Sequence, residues 1–311
     1  MEEILVSVVI PAFNRAAVIR DAVDSALGQD IPGLEVIVID DGSTDAGATR
    51  MALAGYSGQV RYFHQERRGA GAARNHGIAL ARGAFISFLD SDDVWLPGKT
   101  AAELALFARL PRTEAVISDS EQWRDGRMEL ASRFHDIGIE LPAADDPILA
   151  SDWPPRWAER SLVSTCCLTL RREALAKLGA PPFDPRLRTH EDWDLEVRMY
   201  HLCAVAVLPQ VLARVRRFRD GTRTGRGSDW EQLRMRYDVL ARLRRLPPLS
   251  HRATREVRAQ RADAARQLAA AATGGQRAAC LRLAAVEMRA GALPNALRVL
   301  AAAARPARVE L

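Results

Sequence analysis

Lysine and cysteine are scarce in this chain, and long apolar runs are missing. Lys99 and Lys177 are the only lysines among 44 basic residues in 311 positions, so the formal net charge of +5 is an arginine charge. That bias fits the compositional habit of a GC-rich bacterial genome better than a footprint for nucleic acid, and no nucleic-acid partner is expected. The four cysteines, Cys166, Cys167, Cys203 and Cys280, show neither metal-ligand spacing nor a disulfide framework, which leaves buried thiols as their expected role. No stretch approaches the roughly 18 apolar residues that span a bilayer. The start, Met1-Glu2-Glu3-Ile4, carries acids where a signal peptide carries basic residues. A cytoplasmic protein is expected.

What is present is an ordinary globular composition, 48% hydrophobic and 27% charged, long enough for one large or two modest domains. Charge is unevenly placed: from Asp220 onward 18 arginines face eight acids, while the preceding residues carry an acidic excess of five. Val6 to Ile10 is an apolar strand ended by Pro11, and the segment from Arg15 to Leu27 spaces Val18, Ile19, Ala22, Val23, Ala26 and Leu27 as a helix does. Leu34 to Ile39, Val60 to His64 and Phe85 to Leu89 read as further strands, with a helix toward Leu53 between the first two and a Gly-entered helix from Gly69 to Ala81 between the last two. Unbroken apolar strands alternating with helices predict an α/β fold with a mainly parallel sheet covered on both faces. Later elements are a strand near Ala115 to Ile117, irregular stretches at Asp145-Asp146-Pro147 and Trp153-Pro154-Pro155, a helix around Arg171 to Leu178, and a helix from His190 to about Leu202. Beyond Gly221 the composition turns to Ala, Arg and Leu, with breaks at Pro247-Pro248 and Gly274-Gly275 and a helical hairpin turning at Gly291 to Pro294. The expected domains are therefore a sheet domain over 1–220 and a C-terminal helical region over 221–311.

The richest chemistry lies at the expected strand ends. Gly83 to Asp93 runs from an apolar strand into Asp90, Ser91, Asp92 and Asp93, and carboxylates crowded there repel one another unless a cation joins them. Oxygen ligands with waters and phosphates completing the shell suit Mn2+ or Mg2+. In open α/β sheets ligands bind beyond the carboxyl ends of the strands. Asn14, the pair Asp40 and Asp41, and the acids Asp90 to Asp93 all fall in such loops.

Five segments resemble the family 2 glycosyltransferases of the GT-A fold, in order and over residues 4 to about 200. They are Val6 to Asn14, Val38 to Asp45, Gly69 to Ile78, Leu89 to Asp93, and Glu191-Asp192. The resemblance implies inverting, metal-dependent transfer of a sugar from a nucleoside diphosphate sugar, a UDP-sugar by preference, to a hydroxyl of a glycan, a lipid-linked saccharide or another acceptor. It further implies that the loop Pro11, Ala12, Phe13 and Asn14 faces ribose and base. Asp41 would accept the pyrimidine N–H, Asp40 would steady the loop or the ribose, and Arg74 would place a cation near base or diphosphate. Asp92 would touch the metal directly, with Asp90 reaching the ribose or a metal-bound water and Ser91 between them. Asp192 would be the general base that deprotonates the acceptor. Asn75 would brace its helix, Trp95 and Pro97 would pack, and Lys99 would lie at the surface. His190 and Trp193 would line the acceptor site, with core burial the other role open to Trp193.

One departure from the family pattern is Phe218, which stands where relatives often place a histidine and cannot ligate a metal. Arg216, Arg219 and Arg223, with Gly221 and Gly225 expected to give a mobile loop there, are then candidates for the diphosphate. Two alternatives use the same fold class: a non-catalytic nucleotide-sugar binding or docking protein, and a sugar-phosphate nucleotidyltransferase, whose Gly-rich basic first loop is missing here. A phosphoacceptor receiver domain places its acid pair after the first strand, whereas here the pair follows the second. The C-terminal helices are compatible with packing on the catalytic domain, covering the acceptor, pairing two copies, or lying on anionic lipid at the inner membrane face.

Overall fold

The computed structural model describes residues 4–138, 148–149, 161–218, 229–242, 251–271, 276–289 and 299. Arg219, Arg223 and their glycine-bounded loop lie outside these residues, as do the stretches at 145–147 and 153–155, the breaks at 247–248 and 274–275, and the hairpin turn at 291–294. The described residues up to 218 form one compact unit and those from 229 onward form another.

The first unit opens with β1 (Val6–Ala12), every residue of which is buried. It is followed by α1 (Ile19–Leu27), which turns Ile19, Ala22, Val23 and Ala26 inward at helical spacing. Next come β2 (Leu34–Asp41), the short α2 (Ala48–Ala52), β3 (Val60–Gln65), α3 (Ala70–Leu80) and β4 (Phe85–Phe88). The strands β3, β2, β1 and β4 are neighbours in that order and all parallel, as expected for β1, β2 and β4, whose runs are apolar on both faces, while β3 lies at the edge and is only part-buried. Small residues let α3 lie close on this sheet. A Cβ added at Gly77 would stand 2.3 Å from Val9 Cγ1, so the helix can sit there only with glycine at the contact.

The remaining elements are β5 (Val94–Trp95), α4 (Lys99–Arg109), β6 (Ala115–Arg124), β7 (Arg127–Leu130), α5 (Arg133–Asp136), β8 (Ile148–Leu149), β9 (Leu168–Arg171), α6 (Glu191–Leu202) and β10 (Val205–Arg217). Sheet order continues from β4 through β9, β6 and β10 to β5, with β7 beside β6 and β8 beside β10. β6 and β10 are parallel, whereas β9 runs antiparallel between β4 and β6 and β5 runs antiparallel to β10. The sheet is thus mixed, and its long ladders are the parallel ones. The stretch read as a helix at 171–178 is a run of 3-10 turns over Arg172–Leu178.

Lys99 overturns its expected place at the surface. Its side chain is fully buried and its Nζ lies 2.7 and 2.9 Å from the two Glu103 oxygens one helical turn on, with the Trp95 ring 4.3 Å away. Cys166, Cys167 and Cys280 are buried free thiols, and Cys203 is half-buried. The second unit comprises α7 (Asp229–Arg242), α8 (His251–Ala271) and α9 (Arg277–Arg289), with α7 packed along α8. No helix among the described residues is long and apolar enough to cross a membrane.

Candidate functional site

Two loops meet at the end of the parallel strands. After β1 the chain turns at Asn14, held in the left-handed region at φ 53°, a conformation that asparagine tolerates. Its N–H donates to Ser43 Oγ at 2.9 Å, its Nδ2 donates to Thr44 Oγ1 at 3.2 Å, and its Oδ1 accepts from Thr44 N–H at 2.8 Å. These bonds lace the loop after β1 to the loop after β2. In the latter, Asp40 accepts the Ser43 N–H at 2.8 Å and the Tyr62 hydroxyl. Burial works against ionising Asp40, but these donors outweigh it and hold its carboxyl below the usual range.

Asp41 faces the next turn. Its Oδ1 accepts from Gln65 Nε2 and Arg68 N–H, both at 2.8 Å, and its Oδ2 accepts from Gly69 N–H at 2.7 Å, which fixes the entry to α3. A carboxylate has about four lone-pair positions, so three such donors leave room for one more. The Arg67 guanidinium lies 3.8 Å from the centre of the Phe13 ring and so covers one face of that side chain.

The acids after β4 divide sharply. Asp90 Oδ1 lies 2.6 Å from Arg74 Nη2, and its Oδ2 accepts from Thr165 Oγ1 at 3.3 Å. Asp92 Oδ2 has Arg15 Nη2 at 3.5 Å. Asp93 turns inward, where its Oδ1 accepts the Arg216 N–H at 2.9 Å. Arg216 also donates from Nε to the Asp92 carbonyl and from Nη1 to Asp21 Oδ2, each at 2.5 Å. Burial, with the Asp90 charge next, pushes the Asp92 carboxyl above its ordinary value while Arg15 opposes the rise. Asp93 is pushed further up, chiefly by burial.

Arg74 ties this loop to the start of α6. Its Nη1 donates to Glu191 Oε1 at 3.1 Å and its Nη2 also reaches Thr165 Oγ1 at 3.2 Å. α3 presses against the same carboxylate, since a Cβ added at Gly71 would stand 3.1 Å from Glu191 Cγ. Burial and then the Asp192 charge raise the Glu191 carboxyl to about 7 against the pull of Arg74. Asp192, the next residue, is half-buried and accepts the Trp193 N–H on Oδ1 at 2.7 Å. Trp193 itself is buried, which decides for its core role, and His190 meets its ring edge-on. Asn75 braces more than its own helix: it bonds both the N–H and the carbonyl of Phe183, at 3.0 and 2.7 Å.

For a divalent cation the donor set is small. Asp90 and Asp92 keep 27% and 28% of their side chains open, whereas Asp93 is buried. Among the described residues no group of three or more His, Cys, Asp and Glu side chains converges as a metal site. Two adjacent open carboxylates fit a hard cation that takes its other ligands from water and phosphate oxygens. Phe218, 37% exposed, adds none. Sequence reasoning passed over Arg15 and Thr165. Arg15 could have been found because it directly follows Asn14 on the expected rim, while Thr165, beside Cys166 and Cys167, carries no signal.

The profile of Glycosyl transferase family 2 matches residues 7–179. An uncharacterized glycosyltransferase of Rickettsia felis is 29% identical over 212 residues, 68% of this chain and 34% of its own length. The amylovoran biosynthesis glycosyltransferase AmsB of Erwinia amylovora is 31% identical over 206 residues, 64% of each chain. The chain thus spans about a third of the Rickettsia felis protein. Among solved structures, S. aureus TarS 1-349 in complex with UDP superposes at a TM-score of 0.67 with 18% identity, covering 96% of this chain and 88% of that one. The mannosyltransferase PcManGT from Pyrobaculum calidifontis, in complex with GDP-Man and Mn2+, gives a TM-score of 0.56 with 19% identity over 96% and 85%.

Proposed function

The chain belongs to glycosyltransferase family 2, and on that footing we propose that it moves a sugar from a nucleoside diphosphate sugar, with inversion and with a divalent metal, to an acceptor hydroxyl. The observation that carries this reading is the pair of part-open carboxylates Asp90 and Asp92, the first of them tied by buried Arg74 to Glu191 at the start of α6. A uridine donor is favoured because TarS structures hold UDP and UDP-GlcNAc. The room left on Asp41 for one further donor agrees with it, since uracil offers a ring N–H and cytosine does not.

In this reading the loop Pro11, Ala12, Phe13 and Asn14 presents ribose and base contacts on a frame laced to Ser43 and Thr44. Asp40 keeps that frame in shape through Ser43 and Tyr62, and Asp41 selects the base. Asp92, with Asp90 beside it, would hold Mn2+ or Mg2+, which would supply Lewis-acid neutralisation of the charge on the departing diphosphate. Ser91 spaces the two acids, Arg74 sets the direction of Asp90, and Arg219 and Arg223 supply positive charge for the diphosphate. Asp192 takes the acceptor proton from the face opposite the leaving group.

The acceptor is a hydroxyl of a glycan, a lipid-linked saccharide or a similar molecule on the cytoplasmic side. Contact of the C-terminal helices with the membrane surface would place the enzyme near such an acceptor, and pairing of two copies is the other role open to them. Hydrolysis of a panel of UDP-sugars, with and without Mn2+, tests the activity. Turnover that depends on the metal is expected to vanish in Asp92→Ala, and full turnover by that variant would remove the metal assignment.

A further inference from the structure

Glu196 is a buried carboxyl that the proposed reaction leaves unused, one helical turn after Asp192 and on the same face of α6. It is 3% exposed and gathers four donors. Oε2 accepts from Ser161 Oγ at 2.5 Å, while Oε1 accepts from the Leu162 N–H at 2.9 Å, the Val163 N–H at 3.3 Å and the Tyr200 hydroxyl at 2.9 Å. Burial pushes this carboxyl up to about 7, with the Ser161, Tyr200 and Leu162 donors pulling it down and the Asp192 charge adding to the rise.

Three of these donors belong to the consecutive residues 161–163. Two positions on, the Thr165 hydroxyl accepts from Arg74 Nη2 at 3.2 Å and donates to Asp90 Oδ2 at 3.3 Å. Arg74 then returns to α6, where it donates to Glu191 Oε1 at 3.1 Å. The contacts close a ring that runs from Glu196 along 161–165 to Thr165 and Arg74, and through Glu191 back along α6. Asp192 lies on the stretch of helix between the two anchors. Arg198 also holds α6, but from another face and by the carbonyls of Leu178 and Pro182. Of these two contacts, the one at Glu196 leads along the chain to Asp90.

We propose that Glu196 is a positioning residue for the transfer: by clasping 161–163 it fixes where Asp192 stands relative to Asp90, and so the distance from the proton acceptor to the departing diphosphate. The inference rests on the proposed function and deepens it, since it takes Asp192 as the base. The clasp holds by shape more than by charge, and an amide fits the same place. A glutamine Oε1 can accept the two N–H groups and the Tyr200 hydroxyl. Its Nε2 can donate to Ser161 Oγ, whose own proton has the Val163 carbonyl within reach at 2.7 Å. Alanine there leaves the N–H groups of buried Leu162 and Val163 without this acceptor, which loosens the strap.

Two measurements on the full chain test this for the wild type, Glu196→Ala and Glu196→Gln: hydrolysis of the UDP-sugar that the wild type turns over fastest, with water as the acceptor, and deuterium exchange without ligand. In Glu196→Ala kcat is expected to fall about tenfold to a hundredfold while KM for the UDP-sugar and Kd for UDP stay within about twofold, because a misplaced base acts on the chemical step alone. Glu196→Gln should restore kcat. Exchange should quicken over 161–165 and the first turn of α6 in the alanine variant and match the wild type in the glutamine variant. Quickened exchange with kcat unchanged would make the clasp purely structural and overturn the proposal. UDP affinity that weakens in step with kcat would overturn it too, as would a glutamine variant as slow as the alanine one. Unchanged exchange in Glu196→Ala defeats the clasp whether or not any UDP-sugar is hydrolysed, whereas a wild type that hydrolyses none and binds no UDP defeats the proposed function and this inference with it. Should the alanine variant not fold, Glu196→Asp, one methylene short of the strap, carries the same comparison.

Discussion

Arg74 Nη2 lies 2.6 Å from Asp90 Oδ1, on a side chain that is 5% exposed and is held at its other nitrogen by Glu191. One buried cation therefore fixes an acid from the loop after β4 and an acid from the start of α6. The flanking carboxylates keep this guanidinium firmly charged against the penalty of burial. Removing it leaves Glu191 uncompensated in a place with little water and Asp90 with the Thr165 hydroxyl as its donor. Arg74→Ala is expected to cost about 3–5 kcal/mol of stability, the range for breaking a buried pair from one side. Urea denaturation with an unchanged slope would measure it. A variant as stable as the wild type would show that the pair organises nothing.

The half of the sheet that carries the loops after β1, β2 and β4 was legible in the sequence for a physical reason. Parallel strands buried on both faces leave unbroken apolar runs, as in Val6 to Ile10 and Leu34 to Ile39, and acids placed directly after them stand out. β9 left no such mark. Leu168–Arg171 is four residues long and pairs with strands from far earlier in the chain, so its position depends on contacts that no local pattern encodes. Asp40, Asp41, Asp90 and Asp92 were readable as site candidates because carboxylates at strand ends are costly without a use. Thr165 was not, because one threonine in a loop has no periodicity, and Arg15 offered only its place directly after Asn14. Arg74 stood out as a candidate, but its pairing with Glu191 did not, since the two lie 117 positions apart.

Lys99 shows the same limit, because Pro97-Gly98-Lys99-Thr100 looks like an exposed helix start. Its partner Glu103 one turn on was the available sign. Glu103 also accepts from Thr169 Oγ1 at 2.8 Å, and Thr169 in turn bonds Ser87 Oγ at 2.6 Å, so the pair is built into the sheet at β9 and β4. Lys99→Met should destabilise by about 3–5 kcal/mol because Glu103 is left buried and alone. Adding Glu103→Leu to that variant should recover much of the loss. A thermal or urea double-mutant cycle checks this, and simple additivity of the two changes would sink the coupled reading.

Acid should weaken the fold at a definite place. Burial of Glu35 opposes its charge, but the Ser7 hydroxyl, the Arg82 side chain and N–H, and Arg61 together bring its carboxyl down to about 2. A depressed carboxylate stabilises the fold above its unfolded value, near 4.5, and that contribution fades as pH falls toward 2. Because Arg82 is well exposed, a loss on the order of 2 kcal/mol is expected, below what the full shift implies. Glu35→Gln should flatten the stability curve between pH 4.5 and 2. If the variant keeps the wild-type slope, other carboxylates carry the acid sensitivity.

Asp192 is the residue whose removal should separate chemistry from binding. It stands beside Glu191, which Arg74 anchors, so its position is set by a network that Asp192→Asn leaves in place. The amide keeps the shape and can still accept the Trp193 N–H, but it cannot take a proton from an incoming hydroxyl. Loss of a general base lowers turnover by about 10²- to 10⁴-fold. Donor binding, made at the other end of the site, should change little, so the UDP dissociation constant is expected to match the wild type while kcat for transfer collapses. Arg74→Lys supplies the contrast: it disturbs Asp90 and Glu191 together and should affect donor binding and turnover alike. A profile for Asp192→Asn in which binding and turnover fall in parallel would mean that this carboxylate supports the site without acting as its base.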